Sequence, residues 1–141
     1  MSQHEKLNYV EFATMDIQAT KTFFEQVFGW SFDVFGEDYI AFSNEGLDGG
    51  FFSAKSVSSS EQGGALLIFY SNNLEITQAK ITEAQGKITR TIFDFPGGRR
   101  FQFTEPGGNE LTVWSDVDID GNAFSEEDMR VLQNSLKWLQ Q

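Results

Sequence analysis

Two carboxylates stand inside alternating apolar segments: Glu11 in Leu7–Phe12 (LNYVEF) and Glu110 at the head of Glu110–Ser115 (ELTVWS). A carboxylate held away from water is pushed up in pKa and can act as a general base. Period-two alternation places Tyr9 beside Glu11, and Thr112 and Trp114 beside Glu110. In Ala65–Tyr70 the same rule puts Leu66, Ile68 and Tyr70 on one face. Apolar and aromatic walls carrying a few polar groups are the make-up of a small-ligand pocket. Tyr and Trp rings filling a core, with Glu11 and Glu110 reaching water at its rim, is the other reading of the same residues. Arg99 and Arg100 precede Phe101-Gln102-Phe103. Arg100 shares the face of Gln102, where a guanidinium either holds a carboxylate or pairs with an acidic neighbour.

A second constellation, Asp116 to Glu127, follows the pattern D-x-[DN]-x-[DN]-G-x5-E over its whole length. Asp116, Asp118 and Asp120 would supply single oxygens, Asn122 its backbone carbonyl, and Glu127 would close the site from the following helix. Gly121 would make the sharp turn, and hard oxygen ligands of this kind suit calcium. Ala123 and Phe124 depart from the pattern, and the segment before the loop reads as a strand where a helix is usual. The alternative is an acidic turn with Ser125 as N-cap, in which Glu126, Glu127 and Asp128 complement the helix dipole.

Composition removes other chemistries. The 141 residues contain no cysteine, which rules out disulfides, thiolate catalysis and cysteine-based metal sites. The one histidine, His4, sits in a polar leader and reads as a solvated side chain. A formal charge of −11 argues against nucleic acid or an anionic membrane as partner and favours a cationic small molecule or a metal cation. Gly97-Gly98 is no phosphate loop, because a strand follows it. With no apolar leader and no run long enough to span a membrane, the cytoplasm is the expected location.

The elements that must position these groups form a repeat. Asp16–Gly29 (DIQATKTFFEQVFG) recurs 57 residues later as Asn73–Gly86 (NLEITQAKITEAQG). Asp16 and Asn73 are N-caps, Phe24 and Ile81 share the apolar stripe, and Gly29 and Gly86 stand where a helix ends in a left-handed residue. Strands are expected at Leu7–Phe12, Trp30–Phe35, Tyr39–Ser43 and Phe51–Ala54, with a loop over Asn44–Gly50. After a polar Ser/Gly segment, Lys55–Gly64, the order repeats: Ala65–Tyr70, the second helix, Lys87–Phe93, Arg99–Thr104 and Glu110–Ser115. Val10, Phe12, Leu67, Phe69, Leu111 and Val113 should pack under the helices. A third helix is expected over 126–139, with Met129, Leu132, Leu136 and Leu139 as its stripe. The class is α+β: one domain of two tandem βαβββ units, 7–54 and 65–115, and an extension from 116.

Two βαβββ units, the first carrying TKTFFEQVFGW and the second closing with TEPGGNELTVW, resemble the vicinal oxygen chelate superfamily of glyoxalases, extradiol dioxygenases and bleomycin-binding proteins. The resemblance implies sheets forming a cup with helices outside, a ligand inside it, and in small members a homodimer. It implies metal ligands on the first and last strands of each unit. Here these positions fall on Tyr9, Leu66, Thr112 and a residue near Phe51 or Phe52, which make no first-row metal site. No cofactor is therefore expected in the cup. The cup-facing set would be Tyr9, Glu11, Leu66, Ile68, Tyr70, Arg100, Gln102, Thr112 and Trp114. Three functions remain open: metal-free binding of a small cationic or aromatic molecule, a lyase or isomerase using Glu11 or Glu110 as base, and a scaffold acting through protein contacts. Whether the chain is an enzyme at all is left open with them.

Overall fold

The computed structural model describes residues 2–134. Its contacts divide the chain into two compact units: one runs to Ala65 and includes Glu105–Asn109, and the other takes Leu66–Thr104 and the chain from Glu110 onward.

The first unit contains β1 (Tyr9–Thr14), α1 (Ile17–Phe28), β2 (Asp33–Val34), β3 (Tyr39–Glu45) and β4 (Leu47–Ser53). The sheet order is β1-β4-β3-β2, with β1 parallel to β4 and the other pairs antiparallel. The second unit contains β5 (Leu67–Tyr70), α2 (Leu74–Glu83), β6 (Lys87–Phe95), β7 (Gly98–Thr104), β8 (Glu110–Ser115) and α3 (Glu126–Gln133). Its sheet, β5-β8-β7-β6, repeats the arrangement. This is the α+β pattern of paired βαβββ units that the sequence implies.

The repeat survives down to single hydrogen bonds. Asp16 Oδ1 accepts from Ala19 N–H at 3.0 Å, and Asn73 Oδ1 from Ile76 N–H at 3.1 Å. Ahead of each cap a hydroxyl pair stands at 2.7 Å, Thr14 with Thr20 and Ser71 with Thr77. Thr14 and Ser71 also accept from the backbone N–H of Asp16 and Asn73. Each capping side chain satisfies an otherwise orphaned donor and fixes where its helix begins.

The cores differ in kind. In the first unit Phe24 stacks on Trp30 at 4.7 Å, Trp30 meets Phe42 at 4.4 Å, and Phe24 meets Phe51 at 5.3 Å. In the second unit Leu74, Ile81, Leu111 and Val113 pack with Phe101 and Phe103, all fully buried. Glu75 on α2 holds Arg99 of β7 through two bonds of 2.6 and 3.1 Å. That pairing lowers the Glu75 pKa and raises that of Arg99.

Several expectations are corrected. The strand expected from Trp30 shrinks to Asp33–Val34, because the Trp30 N–H still bonds the Phe24 carbonyl at 3.3 Å and its ring turns into the core. Asn44–Gly50 is not a loop: β3 turns at Gly46, at φ 98°, directly into β4. Gly49 and Gly50 look like loop residues in sequence but are strand residues at close approaches. A Cβ at Gly49 would strike the Val10 carbonyl and the Phe42 ring. Helix α2 ends in a left-handed residue one position early, at Gln85 with φ 75°, and the Gly86 N–H closes on the Ile81 carbonyl at 2.9 Å. The expected continuation of α3 to residue 139, and its apolar stripe, lie outside what is described.

The turn Glu105–Asn109 folds with the first unit. Glu105 is 1% exposed and accepts from the hydroxyl of Thr20 and from the Gly107 and Asn109 backbone N–H groups. It also accepts from the Asn109 amide at 2.7 Å, and that amide donates again to the Ala13 carbonyl at 2.9 Å. Burial raises the Glu105 pKa, and the donors around it pull the other way.

Candidate functional site

Strand register assigns each unit a face turned away from its helix. In the first unit Glu11 lies beside Gly50 and Ala41, and Tyr39 beside Phe52. The absence of a side chain at Gly50 lets the Tyr39 hydroxyl lie over it; a Cβ there would collide with that hydroxyl. Tyr39 donates to Glu11 Oε2 at 3.0 Å and meets the Tyr9 hydroxyl at 2.6 Å. Because Tyr39 spends its proton on Glu11, Tyr9 donates to Tyr39. Burial, followed by the bonds to Tyr9 and Glu11, raises the Tyr39 pKa well above the ordinary phenol value. Glu11 is exposed, not held away from water as the sequence reading expects.

In the second unit two rows run across the sheet. Ile68, Thr112, Gln102 and Arg90 form one, and Tyr70, Trp114, Arg100 and Phe93 the next. Leu66, half-buried, precedes β5, and Glu110, half-buried, pairs with Thr104. Tyr70 meets Trp114 edge-on at 5.3 Å, and Phe95 meets Trp114 at 6.2 Å. The guanidinium carbon of Arg90 lies 3.4 Å from the Phe93 ring centre, and that of Arg100 lies 5.3 Å from the same ring and 5.6 Å from Phe95.

Two polar atoms of this face are buried without a partner among the described residues: Arg100 Nε and Thr112 Oγ1. A buried, unmade hydrogen bond costs roughly 1–3 kcal/mol, so such groups in a folded protein mark strain, the place of an ordered water or an unfilled ligand position. Burial, with Arg90 nearby, lowers the Arg100 pKa, although a guanidinium stays charged.

The acidic loop is held by its own backbone. Asp116 Oδ1 accepts from the Tyr70 hydroxyl at 2.7 Å, which raises the Tyr70 pKa. Asp118 Oδ1 accepts from the Asp120 and Asn122 N–H groups, both at 2.9 Å, and the Asn122 carbonyl accepts from Asp118 N–H. Ser125 Oγ caps α3 through Asp128 N–H at 3.1 Å, and Glu127 is exposed on that helix. Among the described residues no three His, Asp or Glu side chains converge as a metal would require. His4 pairs with the exposed Glu5 in the leader. A polar cavity of about 370 Å³ opens between this leader and the β3–β4 turn, lined by Lys6, Asn8, Asn44 and Asp48 among others.

Register also relocates the fourth metal-ligand position. Glu11 pairs with Gly50 as Ile68 pairs with Thr112, so the first-unit counterpart of Thr112 is Gly50, not Phe51 or Phe52. The set Tyr9, Gly50, Leu66 and Thr112 offers no imidazole, thiolate or carboxylate and does not fit a transition metal. Sequence reasoning missed Tyr39, Arg90, Phe93 and Phe95. Alternation within a strand sorts faces, but only pairing across strands shows which residues share a row.

Residues 6–113 match the Glyoxalase/Bleomycin resistance protein/Dioxygenase superfamily. Among solved structures, a glyoxalase-related enzyme from Fulvimarina pelagi superposes with a TM-score of 0.66 at 15% identity, covering 86% of this chain and 98% of that one. A glyoxalase/bleomycin resistance protein/dioxygenase family enzyme from Burkholderia phytofirmans gives 0.64 at 16% identity, covering 77% and 96%. Lactoylglutathione lyase from Agrobacterium tumefaciens gives 0.61 at 13% identity, covering 81% and 96%. At such identities the likeness is one of fold. No curated protein matches the chain.

Proposed function

The chain belongs to the Glyoxalase/Bleomycin resistance protein/Dioxygenase superfamily, and from that premise we propose that it binds a small molecule, without a resident transition metal, on the open face of its second unit. One observation carries this reading: Arg100 Nε and Thr112 Oγ1 are buried and unpaired on a face that also bears Tyr70, Trp114 and Phe93. Aromatic walls around a few unsatisfied polar atoms are what a ligand site needs before its ligand arrives. The missing donor set supports the metal-free part. A general-base role for Glu11 is less favoured, because its carboxylate already accepts the Tyr39 proton donor. Among the described residues no helix is long and apolar enough to cross a membrane.

The test is a thermal-shift screen of small aromatic molecules, acidic, neutral and basic, run with and without a strong chelator. A ligand at a hundredfold excess over Kd stabilises by about 2.7 kcal/mol, which is readily seen in a 141-residue domain. Hits unaffected by chelation and lost in Trp114→Ala are expected. A screen with no hits, or stoichiometric zinc, nickel or iron in the purified protein, would overturn the reading.

A further inference from the structure

We infer that the ligand of this face carries a carboxylate on an aromatic body, bound by Arg100 with Arg90 beside it; the inference rests on the proposed small-molecule site and narrows it. Arg99 and Arg100 are adjacent on β7, and alternation sends them to opposite faces. Arg99 meets a carboxylate at once, Glu75, in a two-bond fork of 2.6 and 3.1 Å. Arg100 forms no ion pair among the described residues, and its Nε has no acceptor.

Phe93 explains how the charges are held. Both guanidinium groups lie against this ring, Arg90 at 3.4 Å and Arg100 at 5.3 Å, and Phe95 adds a further contact to Arg100 at 5.6 Å. A guanidinium stacked on a ring keeps its in-plane N–H edge for hydrogen bonding, and that edge matches a carboxylate's two oxygens. Gln102 shares the row of Arg90, and Thr112, fully buried, lies beside Gln102 with its hydroxyl unpartnered among the described residues, one row from Arg100. Tyr70 and Trp114, edge-on at 5.3 Å, continue the row of Arg100 as an apolar wall for a ring. Two guanidiniums amid aromatic rings suit one carboxylate, not a polyanion.

The experiment is calorimetric titration of the full chain with phenylacetate and indole-3-acetate, their uncharged amides, and the amines phenethylamine and tryptamine. The acids should bind at least about tenfold tighter than the matched amides, as a charge-assisted fork requires. Arg100→Gln should bring that ratio close to one. Arg100→Lys should restore only part of it, since lysine lacks the fork. Melting curves of both variants establish that they fold, and Arg90→Gln, expected to lower the ratio less, tests the pair without touching Arg100. Raising salt from about 50 to about 500 mM should weaken the acids and leave the uncharged amides unchanged. Acids and amides binding equally, or amines binding best, would overturn the carboxylate and leave the small-molecule site standing. Failure of all these probes at millimolar concentration would also overturn the carboxylate, while the broader screen alone decides the site.

Discussion

The two open faces occupy equivalent positions in a repeated unit, yet one is closed upon itself and the other is not. In the first unit Tyr9, Tyr39 and Glu11 satisfy one another over a glycine. In the second, Thr112 stands at the place of that glycine and Arg100 lies one row away, each with a buried atom that no described residue meets. The same division runs through the helix caps. The first unit's hydroxyl pair, Thr14 and Thr20, delivers its proton to buried Glu105, whereas Ser71 and Thr77 meet no carboxylate among the described residues. A duplicated scaffold has thus kept its frame on both sides and placed its unmade polar bonds on one.

Breaking the first unit's chain should have the largest effect. Thr20→Val leaves Glu105 buried and one donor short, at a cost of roughly 1.5–3 kcal/mol, against about 1 kcal/mol for Thr77→Val. Urea denaturation measures both. Burial already holds the Glu105 pKa above its ordinary 4.5, so its protonated form favours folding below that value, and this contribution is lost as pH rises through the folded pKa. Losing the Thr20 donor raises the pKa further, so the Thr20→Val penalty should grow from acid to neutral pH. A penalty independent of pH, or equal in the two variants, would show that the two caps do not differ.

At the paired positions Gly50 and Thr112, opposite signs are expected. Gly50→Ala drives a methyl into the Tyr39 hydroxyl and to 2.9 Å from the Ile40 carbonyl, costing about 1–3 kcal/mol. Thr112→Val removes an unpaired buried hydroxyl at nearly constant shape and should stabilise the ligand-free protein by about 1 kcal/mol. A destabilised Thr112→Val would mean that the hydroxyl has a partner in solution, and the contrast between the faces would then fall.

The smallest effect is spectroscopic. Ultraviolet titration should show Tyr39 and Tyr70 ionising above the ordinary 10.0, Tyr39 mainly through burial and Tyr70 mainly through its bond to Asp116. Glu11→Gln should bring Tyr39 down and Asp116→Asn should bring Tyr70 down, each without moving the other. A phenol whose folded pKa is raised contributes stability below pH 10, and that contribution disappears as pH rises through the folded value.

Much of the frame was legible because it is local. Caps, helix stripes and strand alternation depend on neighbours within a few residues, so Asp16, Asn73, Phe24 and Ile81 announce themselves. Glycine misled twice for the same reason. Gly49 and Gly50 signal a loop by type, and only the chains packed against them show that they are strand residues without room for a Cβ. At Gly86 the left-handed turn is taken one residue earlier, by Gln85.

The sequence by itself determined the family, the paired βαβββ units, the sorting of side chains to faces, and the lack of metal-ligating types at the positions where the superfamily carries them. All of these follow from residue type and short-range periodicity. Only the tertiary structure decided that Glu11 is engaged by Tyr39, that the position opposite Glu11 is Gly50, and that Arg99 finds Glu75 while Arg100 finds no acid among the described residues. Those facts depend on the register between strands distant in sequence, and a shift of one residue would turn every one of these side chains to the other face.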